Sequence, residues 1–295
     1  MHLVISQNAH VRILVTGSNG QLGNEIQQLA NDYKFYIFDY TDIEELDISN
    51  SQHVDAYFDA TKPQVIINCA AYTAVDKAET DETVAYLVNA KATENLARSA
   101  SRTGAMIVHV STDYVFDGRA YIPYNESDLT NPQSAYGRSK LAGEEAVMQN
   151  ATNGIIIRTS WLYSAFGNNF IKTMIRYGKE RQELKVVFDQ IGTPTYAKDL
   201  AKVILDIIPK AITNSGVNLY HYSNEGVASW YDFAKFIINF CSIDCDVKPI
   251  LTKDYPLPAP RPFYSVLNKS KIKETFNIEI PYWTSSVIAC IKRLQ

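Results

Sequence analysis

The chain has 295 residues, 46% of them apolar and 20% charged, with a formal net charge of -4. That composition fits a folded globular protein and excludes a disordered one, and so mild an acidic balance gives no field to draw in nucleic acid or an anionic membrane. No stretch is apolar for long enough to span a bilayer, and residues 1–10 lack the basic start and apolar run of a signal peptide, so a cytoplasmic protein is expected.

From Val11 onward, short β-rich runs alternate with longer amphipathic segments, which is the pattern of a parallel sheet covered by helices on both faces. The predicted strands are "VRILVTG", "KFYIFDY", "PQVIINCAA", "AMIVHVSTDYVF" and "GIIIRTSWLY", all nearly continuous in apolar residues, as buried parallel strands are. Predicted helices include "GNEIQQLAND", "ETVAYLVNAKATENLARSASRTG" ending near Gly104, "NNFIKTMIRYGKERQ" and "AKDLAKVILDIIPK". Cys69, Cys241, Cys245 and Cys290 lack the spacing of a zinc site and read as reduced thiols, so no metal role is assigned to them.

At the first strand-to-helix junction, "VTGSNGQLGNEI" places Gly17, Gly20 and Gly23. In such a turn glycines allow a sharp bend, a close approach of backbone to pyrophosphate, and tight packing of helix on strand. The helix start, with main-chain donors at Gln21 and Leu22, would face the phosphates. Asp39 follows about twenty residues on, where an acid can accept hydrogen bonds from the adenosine ribose. It leans the cofactor toward NADH by repelling a 2'-phosphate; the plainer alternative is a turn residue at the strand end. In "ELDISN", Asp47 with the Ile48 amide is either an adenine contact or a solvated acid starting a helix. Ala70, Ala71 and Tyr72 follow a buried strand, where small residues let a ligand lie against the backbone or simply pack well.

The architecture expected is α/β: a Rossmann-type doubly wound parallel sheet over residues 1–162, with part of 195–212 packing back on it. A smaller carboxyl-terminal substrate-binding subdomain would occupy mainly residues 163–295.

In "SAYGRSKLAGEEAV", Tyr136 and Lys140 are four residues apart and share a helical face. A ketone that accepts hydride must also receive a proton on oxygen. A tyrosine beside a lysine ammonium, which would lower its pKa, can give that proton. Thr112, at the end of "VHVSTDYVF" beside Ser111 and Asp113, would hydrogen-bond and polarise the carbonyl. The alternative is a packed ring and a solvated ammonium. The rest of that helix, Glu144 and Glu145 included, reads as solvated surface.

These motifs, with "GQLG", "NCAAYTAVDKAE", "YGRSKLAGE", "IIRTSWLYSAFGNNF" and "DQIGTPT", resemble the extended short-chain dehydrogenase/reductases, and within them the dTDP-4-dehydrorhamnose reductase family. The resemblance implies Tyr136 as proton donor and Lys140 as its modulator and a cofactor ligand. It also implies cofactor contacts at Gly20, Gln21, Leu22, Asp39, Asp47, Ile48, Ala70, Ala71 and Tyr72. Thr112, Asp113 and Trp161 would contact a nucleotide sugar; Trp161 by itself is either a sugar-stacking surface or a core aromatic. NADPH or NADH would be the reductant, and the product a sugar donor for surface polysaccharide. Some relatives bind Mg2+ at a dimer contact, so a homodimer is expected, although the sequence places no such metal site.

The carboxyl-terminal "APRPFYSVLNKSKI" departs from the family pattern at Tyr264 and Val266, while Arg261 keeps a donor fork suited to a diphosphate. Two rival functions fit the same motifs. One is a nucleotide-sugar epimerase or dehydratase that recycles NAD, although Tyr114 stands where dehydratases carry a glutamate. The other is an idle regulatory subunit similar to the methionine adenosyltransferase beta proteins.

Overall fold

A computed structural model describes residues 10–294; residues 1–9, most of the stretch judged to lack a signal peptide, and Gln295 lie outside them. Six strands form the central sheet: β1 (Val11–Thr16), β2 (Tyr36–Thr41), β3 (Val65–Asn68), β4 (Met106–Thr112), β5 (Asn153–Thr159) and β6 (Gly216–His221). Every neighbouring pair is parallel, in the order β2-β1-β3-β4-β5-β6. The winding reverses between β1 and β3, so a crevice opens beyond their carboxyl ends, where open α/β sheets bind ligands.

Period-two alternation sorts the strand residues between two cores. Ile13, Val15, Ile67 and Val108 face the helices Gln21–Leu29 and Ala197–Ala211. Leu14, Ile66, Ile107 and Ile156 face Ser51–Thr61, Ala92–Thr103 and Ala135–Asn150. Helices on both faces make the sheet doubly wound, as expected from the sequence.

β6 was not predicted as a strand of this sheet. It lies in the stretch assigned to the substrate-binding subdomain, yet it pairs with β5 along its whole length, from Gly216 opposite Asn153 to His221 opposite Arg158. Only its last two residues, Tyr220 and His221, are buried, as befits an edge strand, and no continuous apolar run marks it.

A separate apolar core forms mainly from residues that follow β5 in the chain. Helices Phe170–Glu180, Trp230–Phe240 and Trp283–Lys292 contribute Ile171, Phe233 and Val287 to it. Buried Glu25, on the first helix, ties this body to the sheet: it accepts from Ser164 Oγ at 2.6 Å and from Arg293 Nη1 at 2.7 Å.

Among the described residues no helix is long and apolar enough to cross a membrane.

Candidate active site

The turn after β1 is built around absent side chains. Gly17 has φ +63°, and a Cβ there would sit 2.6 Å from the Ala70 backbone; a Cβ on Gly23 would fall 2.5 Å from Ser18 Cα. The first position closes β1 against the end of β3, and the second seats the helix on the turn. Gly20 is the N-cap of that helix, whose first N–H groups have no intrahelical acceptor and face outward. Leu22 is buried in the core and Gln21 Oε1 accepts from Asn169 Nδ2 at 3.1 Å, so the two offer main-chain groups to a ligand.

Beside this turn lies a cleft of about 480 Å³ lined by Gly17, Gly20, Asp47, Ile48, Ala70 and Ala71, six of the predicted cofactor contacts. Asp47 accepts from the Ser49 N–H and hydroxyl at 2.9 and 2.6 Å, bonds that hold its carboxyl below the usual carboxylate range. It does not cap the following helix; Asn50 does, accepting from Gln52 and His53. Tyr72 is fixed by its backbone: its N–H donates to Asn89 Oδ1 at 2.8 Å and its carbonyl accepts from Asn89 Nδ2 at 3.1 Å. Its ring packs with Tyr136 against Ala78, Ala85 and Ala135.

Asp39 is not part of the cleft lining. β2 runs one residue past the predicted "KFYIFDY", to Thr41, and Asp39 is held inside the strand by Arg12 Nη1 at 3.0 and 3.1 Å. The acid at the strand end is Asp42, which lines the cleft and accepts from the Asn19 N–H at 3.1 Å. A carboxylate already paired with a guanidinium repels a 2'-phosphate less, which weakens the lean toward NADH.

Ser134 caps the helix that carries Tyr136, accepting from the Gly137 N–H at 3.1 Å. Gly137 and Gly143 let this helix lie against its neighbours; a Cβ at either would be 2.3 Å from Tyr114 O or 2.2 Å from Asn89 O. Burial pushes the Tyr136 phenol up to about 12, against the effect of the nearby Thr112 hydroxyl, which itself donates to Asp113 Oδ1 at 3.0 Å. Tyr114 meets the Tyr136 ring edge-on, with centroids 5.4 Å apart. Asp113 is buried and its Oδ2 has no partner among the described residues; burial pushes its carboxyl up to about 6.

Lys140 is placed differently from the expectation that it lowers the Tyr136 pKa. Its ammonium donates to Val110 O at 2.7 Å and its nitrogen lies 3.5 Å from His109 Nε2, with no hydrogen bond to the Tyr136 phenol among the described residues. Burial draws Lys140 itself down to about 8. Glu144 also corrects the sequence reading. It is buried, not solvated, and binds Arg158 through two bonds of 2.9 and 2.7 Å while accepting from Ser111 Oγ at 2.5 Å. Ser111 is thereby committed to the helix, leaving Thr112 as the hydroxyl beside Tyr136. Glu145 is exposed.

Trp161 keeps one face covered. It stacks on Trp230 with centroids 3.7 Å apart, and its backbone has φ +48°, which only a closely packed surround holds in a non-glycine residue. Arg261 donates to Asp76 Oδ2 at 2.7 Å and lines a smaller cavity with Tyr114 and Gln133. Its shared border at Tyr114 places it next to the Tyr136 site.

The model for the RmlD substrate binding domain matches residues 11–295. The chain belongs to this family. It is 43% identical to a dTDP-4-dehydrorhamnose reductase of Aggregatibacter actinomycetemcomitans over 280 residues, covering 92% of this chain and 95% of the relative. It superposes with a TM-score of 0.92 on the dTDP-4-dehydrorhamnose reductase of Clostridium acetobutylicum, which is 47% identical, with 97% of this chain and 100% of that one covered. The Bacillus anthracis dTDP-4-dehydrorhamnose reductase, solved in complex with NADP, gives a TM-score of 0.91 at 39% identity, covering 96% and 99%. The buried polar residues around the site that the sequence alone does not mark are Asn68, Asn89, His109, Glu144 and Arg158. The signal of each is a partner distant in sequence.

Proposed function

We propose that this chain reduces the 4-keto group of dTDP-4-dehydro-L-rhamnose to give dTDP-L-rhamnose, with NADPH or NADH as reductant. The observation that carries the reading is the Thr112 hydroxyl set beside the buried Tyr136 phenol where β4 ends. The family relatives, one of them solved with NADP, support it.

The cleft fits a dinucleotide: the Gly17 turn and Ala70 leave backbone where side chains would stand, and the helix start offers N–H groups to phosphate. A bound nicotinamide supplies hydride to the keto carbon. Tyr136 gives its phenolic proton to the carbonyl oxygen while Thr112 holds that oxygen by a hydrogen bond. Lys140, one helical turn on, offers donors for the nicotinamide ribose. The unpartnered Asp113 Oδ2 accepts from a sugar hydroxyl, the exposed side of Trp161 packs on the sugar, and Arg261 exchanges Asp76 for the diphosphate.

Elimination chemistry is disfavoured, because the residue edge-on to Tyr136 is Tyr114 and not a carboxylate. The Mg2+ implied by the resemblance finds no group of three His, Cys, Asp or Glu side chains among the described residues, and no step runs through it. A cytoplasmic homodimer belongs to the same proposal, and light scattering on the purified chain reports its mass.

The test is conversion of the ketosugar by purified protein with each nicotinamide, followed by NMR of the product. A 4-hydroxyl with one mole of reduced cofactor consumed supports the proposal; no conversion with either cofactor overturns it.

A further inference from the structure

Behind Lys140 lies a buried chain of polar groups that the reaction just described does not use. Asn68 Oδ1, at the end of β3, accepts from the Ala70 N–H at 3.2 Å and from Thr16 Oγ1 at 2.8 Å. A backbone N–H can only donate, so this contact fixes which end of the Asn68 amide is oxygen. The amide nitrogen therefore points the other way, to Thr93 Oγ1 at 3.3 Å and to His109 Nδ1 at 3.1 Å. The Thr93 hydroxyl is itself committed as a donor to Asn89 O at 2.9 Å, so it accepts from Asn68. His109 Nδ1 must then be an acceptor, which puts the single proton of the neutral ring on Nε2. That N–H faces the Lys140 nitrogen at 3.5 Å.

The approach depends on Gly143, where a Cβ would lie 2.2 Å from Asn89 O and 3.4 Å from His109 Nε2. The other groups facing Lys140 are Cys69, just past β3, and Glu144 on its own helix, whose carboxylate is paired with Arg158 of β5. Val110 O of β4 accepts from the ammonium, and Tyr136 lies a turn earlier.

We propose that His109 is a positioning residue for Lys140: locked by Asn68 as the Nε2–H tautomer, it turns a donor toward the lysine nitrogen and so favours the neutral amine over the ammonium ion. A lysine set in this way loses and regains its proton readily, one helical turn from Tyr136. This role rests on the reductase reading for its purpose but not for its existence. Burial of both groups acts in the same direction, lowering the pKa of His109 as well as that of Lys140.

The experiment is NMR on the full-length protein without substrate, using 15N-labelled histidine and 13Cε-labelled lysine, with Lys140→Arg to assign the Lys140 signal. The expected result is a His109 ring that stays neutral as the Nε2–H tautomer from mildly acidic to alkaline pH. Removing the donor in His109→Leu raises the Lys140 titration by about one unit or more, and His109→Gln, which restores an N–H near the Nε2 position, brings it back toward wild type. Should the leucine variant not fold, Asn68→Asp carries the test. A carboxylate there accepts from Nδ1–H, and the spectrum should switch to the Nδ1–H tautomer with a rise in the Lys140 titration. An Nδ1–H or cationic ring in the wild type, or a Lys140 titration unmoved in His109→Leu or Asn68→Asp, overturns the proposal. These readouts need no ketosugar, so they fail or succeed apart from the reductase reading. If both hold, the alkaline limb of turnover moves up in His109→Leu along with the Lys140 titration.

Discussion

Glu144 and Arg158 form a buried, doubly hydrogen-bonded ion pair, with side chains only 2% and 4% exposed, directly behind the strand end that carries Thr112. The pair joins the Tyr136 helix to β5, and Ser111 adds β4 to the same carboxylate. Losing one partner leaves the other charge buried alone. Arg158→Ala should therefore cost about 3–5 kcal/mol of stability in denaturant unfolding. The double replacement Glu144→Gln with Arg158→Met should cost less than Arg158→Ala alone. A loss below about 1 kcal/mol for Arg158→Ala would show that the pair does not brace the site.

The glycines of the first turn should not be equivalent to a glycine that only ends a helix. Gly17→Ala meets both a positive φ and the Ala70 backbone at 2.6 Å, whereas Gly104, at φ +74°, has open space around it. Calorimetric titration with NADPH should show at least a tenfold loss of affinity for Gly17→Ala. Gly104→Ala should bind normally and lose only about 1 kcal/mol of stability.

Cofactor preference should be insensitive to Asp39, because Arg12 already engages its carboxylate within β2. In Asp39→Asn the ratio of kcat/KM for NADPH over NADH should change by less than about threefold, or ~0.7 kcal/mol. Asp42→Ala, at the cleft, should change that ratio by more. A larger effect at Asp39 than at Asp42 would return the ribose contact to Asp39.

The depressed pKa of Lys140 has a sign that can be checked. The folded chain sheds this proton near pH 8, while the unfolded chain keeps it to about the ordinary lysine value of 10.5. Between these values the unfolded state binds more protons, so the Lys140 contribution makes stability rise with pH across that window. Lys140→Met should remove that part of the slope in unfolding measured from pH 7 to 10.5. An unchanged slope would mean that Lys140 titrates normally.

Much of the sheet could be read from the sequence because parallel strands buried on both faces are continuous apolar runs, and the glycine turn because each glycine has a local steric reason. The Tyr136–Lys140 spacing was legible for a similar reason: both residues lie on one helix. What stayed hidden depends on partners far apart in the chain. Glu144 looks like an exposed helical acid until Arg158 and Ser111, on two different strands, converge on it. Asp39 looks like a strand-end ribose acid until β2 proves to extend to Thr41 and Arg12 to reach across from β1. β6 lacks a sustained apolar run because it lies on the sheet's edge. The direction taken by the Lys140 nitrogen, toward Val110 and His109, depends on β4 packing under the helix, which helical spacing does not encode.

If Tyr136 delivers the proton to a ketone held by Thr112, Tyr136→Phe should separate cofactor binding from turnover. Its NADPH affinity and its turnover of dTDP-4-dehydro-L-rhamnose should be measured on the same preparation. Cofactor should bind within about twofold of wild type while kcat falls at least about a hundredfold, the lower end of what a general acid contributes. Turnover retained at close to the wild-type rate, with cofactor bound normally, would contradict that role for Tyr136.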